Sequence, residues 1–227
     1  MPENGRKQFQ KGICKMRRIK NRKLSLAVNV ILVVLVLCGW VVMSITASDK
    51  FSHRGLDKLR YFTVLSNLLF GLTSAIWSVV LMRLLKGQEA SHIRLWLILK
   101  YTGTVAIGLT FVVVMAFLGP MYGYDSMFQG GNLFFHLLVP VIGIFEFILL
   151  NAEGQLRFSD SYYTLIPIIL YGIWYIWNVV TNGARGNDLY GFFKWGNVGA
   201  AIIMIVLLLV VWGLAHLFRW AREKVHS

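Results

Sequence analysis

Six apolar stretches, each long enough to cross a bilayer as a helix, constrain this chain more than any other feature. A bilayer core of about 30 Å requires about 20 residues of helix, and 57% of the 227 residues are hydrophobic. No alternation with a period of two residues indicates a β-barrel. The sequence therefore predicts an all-α fold, a polytopic membrane bundle of six transmembrane helices. The predicted helices are Leu24–Ile45, Tyr61–Met82, Leu95–Leu118, Asn132–Leu150, Tyr162–Val180 and Phe193–Trp212.

The basic residues predict the orientation of the bundle. Seventeen of the 23 lysines and arginines fall on the side of the two termini, and six fall on the other side. Positive residues concentrate in cytoplasmic loops, so we expect both termini in the cytosol and a multi-pass protein of the plasma membrane. We expect residues 1–23 to form a basic cytosolic tail, residues 24–220 the membrane domain and residues 221–227 a second short tail. The basic tail suits anionic lipid better than nucleic acid, which we do not expect as a partner.

Cysteine and histidine placement gives no sign of a metal or cofactor. Cys14 and Cys38 are the two cysteines, and they lack the spacing of metal ligands. A haem between two helices would need two axial ligands at similar depth. His136 and His216 fall near opposite faces of the predicted membrane, so one haem could not join them. We therefore expect neither a metal nor a cofactor.

Polar residues instead gather in one predicted layer. Tyr61–Asn67 opens the second stretch and contains Thr63, Ser66 and Asn67, while His136 lies one turn into the fourth stretch. At 1.5 Å per residue Thr63 lies about 3 Å and His136 about 6 Å from the same membrane face, which the predicted orientation makes the outer leaflet. Polar groups in hydrocarbon need a partner or a function.

One face of the second helix carries most of these groups. Thr63, Asn67, Ser74 and Ser78 fall within a sector of about 60° when successive residues turn by about 100°. Lipid offers no hydrogen-bond partners, so this face should point into the bundle. Close packing through small hydroxylated residues would explain Ser74 and Ser78 without any chemistry.

The chemistry that a threonine and a histidine at equal depth could perform is acyl transfer. A threonine hydroxyl attacks a carbonyl only when a base takes its proton, and histidine is the usual base. Thr63 is the predicted nucleophile, with Ser66 as its rival, and His136 is the predicted base. Asn67 and Asn178 are candidates for binding the substrate or stabilising an oxyanion. A histidine tied to a backbone carbonyl would be the structural alternative for His136, and the third catalytic group is not identified, although Asp125 is a candidate.

A polar site inside an apolar bundle favours a substrate that enters from the bilayer. We therefore predict a membrane-bound hydrolase or acyltransferase acting on a lipid ester, with membrane lipids as its surroundings. The chain has no Gly-x-Ser sequence, which excludes a protease of the rhomboid type. The alternative is a non-catalytic lipid-binding or transport protein with a structural polar core. In a transport protein, Glu146 would line the path of the transported molecule. Its structural alternative is an ion pair with Lys100 or Arg157.

Two segments resemble a known family. Tyr61-Phe62-Thr63-Val64-Leu65-Ser66-Asn67 and His136-Leu137-Leu138-Val139-Pro140, followed by Glu146, are similar to the androgen-induced-protein family. That family includes the androgen-dependent TFPI-regulating protein and similar bacterial membrane proteins. Its animal members are six-helix threonine hydrolases that act on fatty acid esters of hydroxy fatty acids. The resemblance implies that Thr63 and His136 carry the activity and that the substrate is an ester of this kind.

Overall fold

Six helices long and apolar enough to cross a membrane form the protein, as predicted. The computed structural model describes residues 3–45 and 55–227, with side chains from residue 19 onward. This part of the chain contains no strand. Lys50, Arg54 and the side chain of Cys14, which entered the predictions, lie outside the described residues. Including the short 3₁₀ and π turns that continue them, the helices are α1 Glu3–Ile45, α2 Phe62–Leu85, α3 Ile93–Tyr122, α4 Gly131–Leu150, α5 Phe158–Asn182 and α6 Phe192–His226.

Helix α3 lies at the centre of the bundle. It contacts α2, α4, α5 and α6, and α1 completes the bundle by packing against α2 and α4. Lipid tails are as apolar as leucine side chains, so helices in a membrane associate through close packing and polar contacts rather than through the hydrophobic effect. Burial is greatest for α3 and least for α6. In an 18-residue apolar stretch of each helix, 56% of the residues of α3 are buried, compared with 17% of those of α6. Residues that need a sheltered polar environment are therefore best placed around α3.

Two helices run further than the sequence indicated. Helix α1 begins at Glu3, so the backbone of the predicted basic tail continues the first membrane helix. Helix α6 continues past Arg219 to His226. The guanidinium of Arg222 is buried and donates to the carbonyls of Asn151 at 2.8 Å and Glu153 at 2.7 Å. This contact with the α4–α5 loop holds the last turns of α6 against the protein.

Helix α4 widens where it carries His136. Pro140 has no N–H, so the carbonyl of residue 136 loses its normal partner four residues later. The helix responds with a π turn over Phe134–Leu138, in which the Val139 N–H bonds to the carbonyl of Phe134. Such turns rotate the following side chains and are frequent at functional sites. Pro140 thus coincides with a widening of the helix at the histidine itself.

A buried ion pair joins four helices at the end of the bundle that carries Glu146. The Lys100 ammonium lies 3.3 Å from a Glu146 carboxylate oxygen and donates to the Asn29 and Ser74 side chains, at 2.7 Å each. The Ser25 hydroxyl donates to the other Glu146 oxygen at 2.6 Å. Lys100 and Glu146 have side chains with 0% exposure. The cluster therefore ties α1, α2, α3 and α4 together, with Lys100 as the partner of Glu146.

Glycines let α1 approach α4 closely at the opposite end. A Cβ placed on Gly131 would lie 2.5 Å from the Met43 Cβ and 2.7 Å from the Met43 backbone nitrogen. Backbone cannot move aside as a flexible side chain can. The close contact therefore depends on the missing side chain of Gly131 and fixes the start of α4, one turn before His136.

Gly131→Ala is expected to destabilise the protein by about 1–3 kcal/mol, because the added methyl group overpacks the contact between α1 and α4. Gly213→Ala is the matched control, since a Cβ on Gly213 meets nothing within 4 Å. An alanine there should be neutral or stabilise the helix by up to about 1 kcal/mol. Thermal unfolding in detergent measures both variants, and equal melting temperatures would contradict the packing argument.

Candidate active site

Thr63 and His136 line one cavity at the end of the bundle opposite Glu146. Thr63 lies in the first turn of α2 and His136 in the π turn of α4, and the loops before α2 and α6 cover the cavity. The space between atoms there amounts to about 540 Å³, part of it open to the surroundings, but the centre of a water molecule could occupy only about 30 Å³ of it. That is room for about two waters. Its lining is Met43, Lys58, Tyr61, Thr63, Val64, Leu118, Tyr122, Met127, Asn132, His136, Leu189 and Tyr190.

The His136 ring is held by a backbone carbonyl. Its Nδ1 lies 2.7 Å from the carbonyl oxygen of Met127, and the side chain is buried. A carbonyl only accepts hydrogen bonds, so in a neutral ring Nδ1 carries the proton and donates it. Nε2 then keeps its lone pair. The predicted carbonyl tie exists, and the same bond selects the tautomer in which Nε2 is a base.

The Met127 carbonyl takes the position in which many catalytic histidines have a carboxylate. Asp125, the candidate for that role, is exposed in the loop before α4. Met127 itself is fully buried. The loop therefore orients the imidazole through its backbone, which no side-chain pattern in the sequence could indicate.

The Thr63 hydroxyl lies beside a tyrosine rather than directly against the histidine. The Tyr190 phenol accepts a hydrogen bond from the Phe62 N–H at 2.9 Å and lies close enough to interact with the Thr63 side chain. Within the described chain, no hydrogen bond joins Thr63 to His136. Catalytic hydrogen bonds are often long before substrate binds. The two groups share a space that a reacting carbonyl or a water molecule could bridge.

A second, mainly apolar cavity begins at Thr63. Thr63, Leu118 and Tyr190 line both cavities, so the two spaces meet at these side chains. The second cavity extends between α3, α5 and α6 along residues such as Leu109, Ile168 and Leu207. A hydroxyl at the junction of a polar and an apolar space is well placed for an amphiphilic molecule.

Ser66 and Asn67 face neighbouring helices instead of this cavity. The Ser66 hydroxyl lies 2.9 Å from that of Thr110 on α3, and it also donates to the Thr63 carbonyl. The Asn67 amide donates to the Thr63 carbonyl at 2.8 Å and to the Phe135 carbonyl at 3.1 Å. Its second bond ties α2 to α4 directly beside His136. Asn67 is thus placed to position both helices, and its N–H groups are not directed at the cavity.

Asn178 belongs to a separate amide cluster in the loop between α5 and α6. Its amide oxygen accepts a hydrogen bond from Asn182 at 2.9 Å, and the Asn187 side chain accepts one from Arg60 at 2.6 Å. Asn178 is absent from the lining of the cavity that holds Thr63 and His136. The structure therefore brings together Thr63 and His136, but not Asn178, Ser66 or Asn67.

Four polar side chains that the sequence did not single out also line the cavity: Lys58, Tyr122, Asn132 and Tyr190. Asn132 precedes His136 by four residues, a spacing that places two side chains on one helix face and could have identified it. Its side-chain amide has no hydrogen-bond partner among the described residues, although Asn132 is only 8% exposed. Lys58 and Tyr190 lie in loops, where helical spacing gives no signal.

Two of the three tyrosines that line the cavity, Tyr61 and Tyr190, are neutral hydrogen-bond donors at physiological pH. Burial, together with the neighbouring Tyr190, raises the pKa of Tyr61 to about 12. Burial likewise raises the pKa of the Tyr190 phenol. A phenol that keeps its proton can donate to an oxyanion.

No group of three histidine, cysteine or acidic side chains converges on a metal-sized site within the part of the chain that the structure describes. Comparison with known proteins returned no match to a family model, to a curated protein or to a solved structure. Any function must therefore be argued from the cavity itself.

Proposed function

We propose that the protein is an integral-membrane lipid-ester hydrolase or acyltransferase, with Thr63 as nucleophile and His136 as base. The observation that carries this proposal is the shared cavity. Two side chains 73 positions apart in the sequence, one a hydroxyl and one an imidazole with Nε2 free to accept a proton, line the same cavity.

The reaction has two halves, acylation of Thr63 and then deacylation, and His136 moves the proton in both. His136 Nε2 takes the proton of the Thr63 hydroxyl while its oxygen attacks the ester carbonyl carbon. The tetrahedral intermediate collapses, the C–O bond to the alcohol breaks, and His136 returns the proton to the departing alcohol. A water molecule, or a second alcohol, then repeats these steps on the acyl-threonine and releases the acid or the new ester. The Met127 carbonyl stabilises the imidazolium that forms twice in this cycle.

The oxyanion of each tetrahedral intermediate needs hydrogen-bond donors. Asn132 has a free amide in the cavity, and Tyr190 interacts with the Thr63 hydroxyl itself. Removing one such donor from an acyl-transfer enzyme typically costs about 100–1000-fold in rate. These two residues replace Asn67 and Asn178 as the candidates for this role.

The substrate class follows from the adjoining apolar cavity. An acyl chain could occupy the space lined by Leu109, Ile168 and Leu207 while its carbonyl lies at Thr63. Both cavities are narrow, so the chain enters only when flexible side chains such as Met127 and Met204 move. The resemblance to the androgen-induced-protein family suggests a fatty acid ester of a hydroxy fatty acid, hydrolysed from the outer leaflet of the plasma membrane.

A non-catalytic lipid-binding protein is the second candidate. It is favoured by the absence of a direct hydrogen bond between Thr63 and His136 in the described chain. Transport along Glu146 and Lys100 has less support, because these side chains are fully buried and bonded to each other, to Ser25, to Asn29 and to Ser74.

A fluorophosphonate carrying an alkyl chain and a fluorophore tests the proposal. The wild-type protein in detergent should become covalently labelled, because the activated hydroxyl displaces fluoride from phosphorus. Thr63→Ala should abolish the labelling seen on a gel. Ser66→Ala is the matched control, since it removes a hydroxyl one turn away that faces Thr110, and it should keep the label. Labelling that persists in Thr63→Ala, or that disappears only in Ser66→Ala, would remove Thr63 as the nucleophile.

A further inference from the structure

Lys58 is a buried cation at the mouth of the same cavity. It lies in the short 3₁₀ helix Gly55–Arg60 that precedes α2, and it is only 2% exposed. Its ammonium donates to the Ser44 hydroxyl and, at 3.3 Å, to the Trp40 carbonyl. It also lies 3.6 Å from the centre of the Trp40 ring. All of these partners belong to α1 and are uncharged.

The charge of Lys58 has no counter-ion in the described structure. No described acidic side chain forms an ion pair with it, and none lines the cavity. An isolated buried charge is unfavourable, and burial lowers the pKa of Lys58. An ammonium has three N–H donors, and two are used by Ser44 and Trp40. One donor remains for a group inside the cavity.

We propose that Lys58 binds an anionic group of the ligand, a carboxylate or a phosphate, inside the cavity that contains Thr63. The ligand is then an amphiphile held at two points. Its anion lies at Lys58, five residues before Thr63, and its chain extends past Thr63 into the apolar cavity. The binding of an anion does not depend on catalysis. If the proposed function holds, the substrate is an ester that carries a negative charge, and this part of the inference rests on that function. The binding itself can be measured without any turnover.

Binding of a fluorescent fatty acid measures the role of Lys58 directly. The full chain in a neutral detergent at pH 8 is titrated with cis-parinaric acid and, separately, with its methyl ester, which differs only in the charge. Wild type should bind the acid at least tenfold more tightly than the methyl ester. Lys58→Met should lose this preference by weakening the acid alone. The methyl ester is an ester that Thr63 could cleave, so each titration is repeated in the Thr63→Ala background, where binding is measured without turnover.

Lys194→Met is the matched control, because it removes one positive charge from an exposed lysine near the same end of the bundle. It should retain the preference for the acid. If Lys58→Met does not fold, Lys58→Gln gives the same comparison with a polar side chain. Competition with oleate and with oleoyl lysophosphatidate identifies the anion: stronger displacement by oleate indicates a carboxylate, and stronger displacement by the lysophosphatidate indicates a phosphate.

Equal affinity of the wild type for the acid and the methyl ester would overturn the inference, as would a preference that survives in Lys58→Met. These outcomes are separable from failure of the proposed function. A protein that prefers the acid through Lys58 but shows no fluorophosphonate labelling would be a carrier of anionic lipids. A protein that is labelled at Thr63 but ignores charge would be an esterase for neutral lipids.

Discussion

His136→Ala lowers the rate of ester hydrolysis by about 100–10,000-fold, the range that a general base contributes. The His136 ring lines the cavity and donates its Nδ1 proton to the Met127 carbonyl. Its Nε2 therefore keeps a lone pair and can act as the base. Without it the Thr63 proton has no acceptor, so attack on the carbonyl slows while binding of the ester changes little. Steady-state hydrolysis of a p-nitrophenyl ester of a medium-chain fatty acid measures kcat and KM.

His216→Ala controls for the loss of a histidine elsewhere in the bundle. His216 stacks on Phe158 with ring centroids 4.4 Å apart and does not line the cavity of Thr63. This variant should keep wild-type kcat. A melting temperature of His136→Ala close to that of wild type establishes that the protein remains folded. If His136→Ala unfolds, or if it hydrolyses the ester at the wild-type rate, the imidazole is a structural tie and not a base.

Glu146→Gln reduces stability by about 3–5 kcal/mol, because it leaves the Lys100 ammonium buried without a counter-ion. Lys100 and Glu146 are 3.3 Å apart with side chains of 0% exposure, so neither water nor lipid headgroups can replace the lost charge. The neutral amide keeps the size of the side chain, which separates the effect of charge from that of packing. The melting temperature in detergent should fall by roughly 10 °C.

Glu223→Gln is the control for this variant. Glu223 forms an ion pair with Arg219 at 2.8 Å on the surface of α6, where its side chain is 44% exposed. Exposed pairs of this kind contribute about 0.3–0.5 kcal/mol. The double variant Lys100→Met/Glu146→Leu should recover much of the stability, since it removes both charges. Loss of hydrolysis in Glu146→Gln at an unchanged melting temperature would instead assign Glu146 a functional role.

The arrangement of six helices and the common depth of Thr63 and His136 could be predicted because both depend on counting residues. Hydrophobic length sets the number of helices, and the rise per residue sets the depth of each side chain. The buried face of α2 was predicted in the same way. Of the four residues on that predicted face, Asn67, Ser74 and Ser78 are buried and Thr63 is half-buried.

The neighbours of each side chain could not be predicted, since they depend on how the helices rotate against one another. Asn67 and Ser66 face the right direction for a site, yet Asn67 meets the backbone of α4 and Ser66 meets Thr110. Lys58 entered the sequence argument only as one positive charge in a loop. Its burial depends on Trp40 and Ser44 of α1, which lie 18 and 14 residues away in the sequence.

The roles of backbone groups could not be predicted from the sequence either. Every residue has a backbone carbonyl, so the sequence does not distinguish that of Met127. Only the path of the loop before α4 places this carbonyl against His136. Pro140 could have indicated a disturbance of α4, because proline always removes a donor. That α4 forms a π turn at His136 could not be inferred from the proline alone.

The site of covalent modification tests the central claim most directly. Protein labelled with the alkyl fluorophosphonate is digested, and tandem mass spectrometry locates the phosphonyl group on a single side chain. The adduct is predicted on the Thr63 hydroxyl, at a rate that falls sharply in His136→Ala. An adduct on Ser66 or on another hydroxyl, or one on Thr63 that forms equally fast without His136, would contradict the pairing of these two residues.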